Sequence, residues 1–304
     1  MTVEVITPRD VPLGGQRAMT VRRTLPTRER SLIGAWCFLD HYGPDLVTET
    51  GGMSVAPHPH TGLQTVSWLF TGEIEHRDSA GHHAMVRPGE LNLMTAGHGI
   101  SHSEVSTRGT TSLHGAQLWL ALPDDARDGP PAFEHYAPPA VTGEGWTARV
   151  FLGSLLGSTS PVATFSRLLG AELVLEPDAS LSLDVRPGFE HGVLVDTGAV
   201  RLEGTEVAEH QLAHVADGAD RLLLRAGPGG ARVLVLGGEP FGEPLVMWWN
   251  FVGRTHDEVV AAREAWQAQL ADGYEDGRFG VPVGNDLDAI PAPPLPNVRL
   301  TERR

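Results

Sequence analysis

Short apolar runs recur along the chain at close intervals, each cut off by Gly, Pro, Asp or Asn, and this rhythm constrains the fold more than any other feature. Strand-length apolar segments bounded by turn residues are the pattern of an all-β sandwich or barrel, since such a segment buries its side chains only by pairing with neighbours. Gln64 to Phe70, Ala116 to Leu122, Arg221 to Arg225 and Ala231 to Leu236 read as strands. Arg87-Pro88-Gly89, Arg186-Pro187-Gly188 and Gly227-Pro228-Gly229-Gly230 read as turns between strands. At 304 residues, two domains are the natural expectation. The β pattern pauses from Pro123 to Pro139, a stretch of linker composition, and resumes near Thr147. The Arg-Pro-Gly phrase occurs once in each half, in a similar β setting, and reads as a short internal repeat. Two similar barrels in tandem follow, over residues 1–135 and 136–304.

One helix is specified near the end of the second domain. Thr255 and Glu258 make a capping-box pair, Val259, Ala262, Trp266 and Leu270 follow at spacings of three and four, and Gly273 supplies a stop, which predicts a helix over 255–272. Ile290-Pro291-Ala292-Pro293-Pro294-Leu295-Pro296 is extended by necessity, because proline fixes φ and cannot continue a helix.

The charge narrows the function. Arginine supplies all 23 positive charges against 38 negative ones, a formal net charge of −15, and direct binding to nucleic acid or to an anionic membrane needs the opposite balance. The first fifteen residues carry Glu4, Arg9 and Asp10 and no apolar core of leader length, and no long apolar run appears, so a cytoplasmic protein is expected. The single Cys37 lies in an apolar stretch and reads as a buried thiol rather than a nucleophile.

Ten of the 14 histidines fall at or before His135, which assigns any histidine-based site to the first half. His58-Pro59-His60 places two imidazoles at i and i+2, which a strand points to one face. His102-Ser103-Glu104 repeats the spacing further on. Three imidazoles and a carboxylate suit a transition metal such as Fe, Mn, Ni, Cu or Zn better than Ca or Mg. A chain with this histidine content produces about 0.6 His-x-His triplets by chance, and His256-Asp257-Glu258 copies the second pattern at the helix start, so spacing alone leaves a metal site and scattered strand histidines both open. Trp68, Phe70 and Met94 are expected inside a barrel, His82 and His83 on an exposed turn, and His76 stays unassigned. The second half has no His-x-His, and its barrel is expected to hold no metal.

Pro57 to Val66, with its His-Pro-His-Thr-Gly core, and Thr95 to Glu104, with Gly97-His98-Gly99-Ile100-Ser101-His102, resemble the pirin family, a branch of the bicupin proteins. The likeness runs on through Gln117-Leu118-Trp119, Gly237-Gly238-Glu239-Pro240 and the helix, and so spans most of the chain. The resemblance implies two cupin barrels and one mononuclear metal in the first, commonly iron as Fe(II), held by His58, His60, His102 and Glu104. Gln64 stands where many relatives carry glutamate. Were the strand unbroken from His58, Gln64 would face the same interior and tune a ligand through a hydrogen bond, unless Gly62 inserts a bulge and spoils the count. His98 stands where many relatives carry arginine and is a second candidate for that role, or a loop histidine in solvent.

The activity this resemblance implies is that of a flavonol 2,3-dioxygenase, with quercetin as type substrate, O2 as co-substrate and carbon monoxide as a product. Glu104 would then accept the proton of the flavonol hydroxyl. The alternative is a regulatory protein that acts through protein partners, with metal oxidation state as its switch. A monomer is expected, because two barrels can cover each other's apolar faces.

Overall fold

The computed structural model describes residues 1–13, 19–275 and 277–303, so Gly14 and Gly15 of the stretch read for a leader lie outside the described residues. Strands dominate, and the described residues hold two helices, Val47–Thr50 and His256–Ala271. The fold is all-β with two cupin barrels and a C-terminal helix.

The compact units do not follow the chain in simple tandem. One comprises residues 12–21, 42–135 and 242–304, and the other 1–11, 22–41 and 136–241. One break between the units lies between residues 135 and 136, and each end of the chain joins the barrel remote from it in sequence. Val3–Ile6 pairs antiparallel with Leu212–Val215, adding a strand to the second barrel. The C-terminal helix and tail, read in sequence as part of the second domain, belong to the unit of the first barrel. Open strand edges and an amphipathic helix bury themselves on whatever complementary surface is available, and local pattern does not name that surface.

Two larger sheets build the first barrel. Ser54–His60, Ile100–Ser106, Ile74–Asp78 and His83–Val86 lie side by side in one. In the other, Ala132–Tyr136, Leu91–Thr95, Leu63–Thr71 and Ser112–Ala121 are successive neighbours. The stretch Pro123 to Pro139 is therefore not a free linker. It supplies the Ala132–Tyr136 strand, pinned by a 2.7 Å hydrogen bond between His135 Nδ1 and Asn92 Oδ1.

The C-terminal helix starts where its capping residues place it, with the Thr255 hydroxyl accepting from the Glu258 N–H at 3.2 Å. It buries Val259, Ala262, Trp266 and Gln269. The proline-rich tail is tied down along it, its Ile290 carbonyl accepting from Trp266 Nε1 at 2.9 Å and its Pro293 carbonyl from Arg263 Nε at 2.7 Å. Ile290 N–H donates to the Pro57 carbonyl at 2.8 Å, so the tail braces the strand that carries the His-x-His pair.

The second unit is built mainly from a nine-stranded sheet about an apolar core that includes Val150, Leu173, Val193, Val195, Leu222 and Val235. Its longest strand, Arg221–Gly238, is interrupted at Gly227–Gly230, where the sequence marks a turn: Ala226 pairs with Val200 and Ala231 with Gly198, and Gly230 has φ +75°. Residues 227–230 thus form a wide bulge opposite Ala199, and a smaller register shift lies between Val195 and Thr197 of the facing Glu190–Leu202 strand. The repeated phrase does form equivalent turns, with Glu90 N–H bonded to the Arg87 carbonyl and Phe189 N–H to the Arg186 carbonyl. Cys37 is fully buried, and burial pushes its thiol up to about 12.

Candidate metal centre

His58 and His60 sit on Ser54–His60, an edge strand of the four-stranded sheet, and His102 and Glu104 on its neighbour Ile100–Ser106. Ser54–His60 and Ile100–Ser106 run antiparallel with His58 directly opposite His102, so the i, i+2 spacing turns both pairs to one face. A register shift between His102 and Glu104 offsets the carboxylate along the strand.

The structure brings the donors together in two overlapping sets. His58, His60 and His102 present ligand atoms within 4.8 Å of one another, and so do His76, His102 and Glu104. His60 Nε2 and His102 Nε2 are 3.0 Å apart, the separation of adjacent nitrogens in an octahedral shell with metal–nitrogen bonds of about 2.1 Å. His58 Nδ1 lies 2.9 Å from the Ala56 carbonyl; donating there, it leaves Nε2 as a lone pair for a metal.

All four groups are buried. Burial lowers His58 to about 4. His60 and His102 fall well below the ordinary histidine value, first through burial and then through the neighbouring imidazoles. Burial raises the Glu104 carboxyl, against the opposing pull of His76 and of the Ser67 hydroxyl. Three neutral imidazoles converge, and a carboxyl that burial starves of counter-charge meets one of them, His102; such donors fit a cation of nitrogen and oxygen preference.

His76, which the sequence left unassigned, is the member that local reasoning missed. Its strand pairs with Ile100–Ser106 so that His76 lies opposite Glu104 and Asp78 opposite His102. His102 Nδ1 is 3.4 Å from His76 Nδ1, and His76 Nε2 is 3.3 Å from Asp78 Oδ2. With His102 Nε2 committed to a metal, its Nδ1–H donates to His76, whose Nε2–H donates to Asp78, and this chain holds the His102 ring in one tautomer. The available signal was His76-Arg77-Asp78, another i, i+2 pair, but only register shows that it meets His102.

The facing sheet closes the site. Ser67 Oγ lies 3.1 Å from Glu104 Oε1 and 3.0 Å from Gln117 Oε1. One hydroxyl proton serves one acceptor; with the Gln117 amide turned so that its NH2 faces Ser67, the serine donates to Glu104. The Trp119 ring meets the His60 ring edge-on at 5.2 Å.

Gln64 does not make the contact with Glu104 that Ser67 makes. The chain breaks between strands at Thr61 and Gly62, where Gly62 has φ +68° and a Cβ would come 2.3 Å from the Val252 carbonyl oxygen. That break resets the alternation, so Ser67, of opposite parity, touches Glu104 while Gln64 donates to Thr95 Oγ1 at 2.9 Å. Register also divides the expected interior residues. Met94 pairs with Thr65 on the face of Ser67, whereas Trp68 lies on the opposite face and Phe70 falls at a bulge against Ser112–Ala121. His98 is exposed, its Nδ1 3.0 Å from the Gly129 carbonyl. His83 is exposed beside Glu75, and His82 is half-buried with Nδ1 at 3.1 Å from Asp78.

The Pirin family model matches residues 18–120, and the Pirin C-terminal cupin domain model matches 170–271. The chain belongs to the pirin family. Among pirin relatives, a Pseudomonas aeruginosa protein carrying the provisional name quercetin 2,3-dioxygenase is 45% identical, over 96% of this chain and 90% of its own. The crystal structure of a quercetin 2,3-dioxygenase from Acinetobacter baumannii superposes with a TM-score of 0.90 at 39% identity, covering 98% of this chain and 97% of that one. An Escherichia coli pirin solved with nickel(II) shares the fold at a TM-score of 0.62 and 19% identity, over 79% of this chain and all of its own. Among the described residues no helix is long and apolar enough to cross a membrane.

Proposed function

We propose that this pirin is a metal-dependent dioxygenase that opens the ring of flavonols such as quercetin with O2. The observation that carries the reading is the buried convergence of His58, His60 and His102, with Glu104 beside His102 on a Ser67 hydrogen bond. The names of the Pseudomonas and Acinetobacter relatives support the substrate class. Iron(II) is the metal we assign, with Mn, Ni, Cu and Zn as competitors that the donor set also accepts. When bound, such an ion supplies a Lewis-acidic, redox-capable position for the substrate hydroxyl and O2.

The chain's residues do the rest. His58, His60 and His102 fix the site as neutral donors. Glu104, the one carboxylate in the proposed donor set, takes the proton of the flavonol hydroxyl, and Ser67 orients it for that transfer. The His60–Trp119 contact places an aromatic wall beside the imidazoles, suited to a flat substrate. Both atoms of O2 enter the ring-opened product, and one ring carbon leaves as carbon monoxide. We place the protein in the cytoplasm, as a monomer.

Aerobic quercetin consumption with carbon monoxide detection, on protein loaded anaerobically with Fe(II), tests the reading. Turnover with stoichiometric carbon monoxide is expected. His58→Ala loses metal and turnover together, whereas Glu104→Gln keeps substantial metal and loses turnover. Full activity of Glu104→Gln removes the base assignment. No turnover in protein holding one metal per chain rejects the enzyme reading in favour of a regulator acting through protein partners.

A further inference from the structure

The second barrel contains a cavity of about 400 Å³ at one end, where Trp146–Leu152 and Ser180–Asp184 finish and Leu168–Leu175 and Glu190–Leu202 begin. That volume is within the range of small-molecule sites. Leu155, Leu168, Leu169 and Phe189 give it an apolar floor, and Arg167 and Arg186 stand at the exposed rim with Asp184.

His191 also lines this cavity, and it is 1% exposed. It shares strand parity with the core residues Val193 and Val195, so its ring is directed into the barrel. Neither ring nitrogen has a hydrogen-bond partner in the protein. Room for the ring against the neighbouring strand comes from Gly237, where a Cβ would sit 3.2 Å from His191 Cδ2.

A buried polar group without a partner is costly, and folded proteins normally satisfy it with protein, water or ligand. Burial, helped by the nearby His214 and opposed by Glu190, lowers His191 to about 4. The ring is therefore neutral near pH 7, one nitrogen a donor and the other an acceptor. Among the described residues, no group of three metal-ligating side chains includes His191, which points away from a metal. The rim carries two guanidinium groups against one carboxylate, on a chain whose net charge is −15. Arg186 lies over the Phe189 ring at 5.6 Å, and Arg167 Nη1 is 3.4 Å from Glu239. An anionic group is favoured at this mouth, an apolar ring beneath it, and a hydroxyl at the depth of His191.

We propose that the second barrel binds a small phenolic carboxylic acid, with its ring on Leu169 and Phe189, its hydroxyl on His191 and its carboxylate at Arg167 and Arg186. This site is separate from the metal centre and does not depend on the dioxygenase reading.

Calorimetric titration of the full chain with 4-hydroxybenzoate, 4-hydroxyphenylacetate and 4-hydroxycinnamate tests it, with benzoate and phenol as controls. At least one phenolic acid is expected to bind saturably, and His191→Leu to weaken it about tenfold while leaving benzoate unchanged. Arg186→Ala should weaken both acids and leave phenol unchanged. His191→Gln, which keeps a donor and an acceptor, should retain most of the affinity, and this guards against a folding defect in the leucine variant. Binding should persist in His58→Ala, so failure of the metal-centre reading leaves this result intact. Three outcomes overturn the proposal. They are no saturable binding of any of the three acids up to about 10 mM, binding indifferent to His191→Leu, or a soaked crystal showing only an ordered water on His191.

Discussion

The two barrels use similar strands and an equivalent Arg-Pro-Gly turn, yet they fill their interiors in opposite ways. The first gathers His58 and His60 on one side of His102, and His76 and Glu104 on another. The second fills the same kind of space with Leu and Val, and its inward His191 is followed two residues on by Val193 rather than by another imidazole. The barrel is thus a scaffold whose alternate positions decide its use. Polar residues at those positions commit it to a ligand that satisfies them, and apolar ones commit it to stability.

The largest test of this contrast is His102→Ala. His102 belongs to both donor sets, so metal content measured by elemental analysis should fall to background, with the second barrel's fold unchanged by circular dichroism. Retention of metal would show that His58 and His60 suffice, and the two-set description would fail. Leu173→Ala is the converse experiment. The side chain is fully buried in the second core, and its truncation should cost about 2–5 kcal/mol in denaturant unfolding while metal stoichiometry holds.

His76→Leu should sharpen the picture of the first barrel. Loss of the acceptor behind His102 is expected to weaken metal binding by about 10- to 100-fold in chelator competition. An unchanged affinity would remove His76 from the support of the centre. The smallest expected effect is that of Thr255→Ala, which removes the hydrogen bond that caps the C-terminal helix. About 1 kcal/mol of stability should be lost, and, because the helix belongs to the first unit, that unit's unfolding should show the change.

Much of this was legible in the chain. Capping chemistry placed the helix start at Thr255 within a residue, and period-two alternation put His58 with His60 and His102 with Glu104 on common faces, because both are local consequences of backbone geometry. Elsewhere local reasoning stopped short. Alternation could not carry parity across Gly62, so Gln64 stood in for Ser67. The glycines at 227–230 signal a chain reversal in isolation, yet pairing of Arg221–Gly238 on either side of them reduces it to a bulge within one strand.

Local chemistry was enough to read the chain as all-β, to put His58 with His60 and His102 with Glu104 on common faces, and to start the last helix, since these depend on side-chain chemistry and on the periods of helix and strand. Only the tertiary structure decided that His76 and Asp78 stand behind His102, that the chain's two ends join the barrels remote from them in sequence, and that His191 is buried without a partner. Each of these depends on register and packing between segments far apart in the chain, and a local pattern carries no information about which distant surface will cover it.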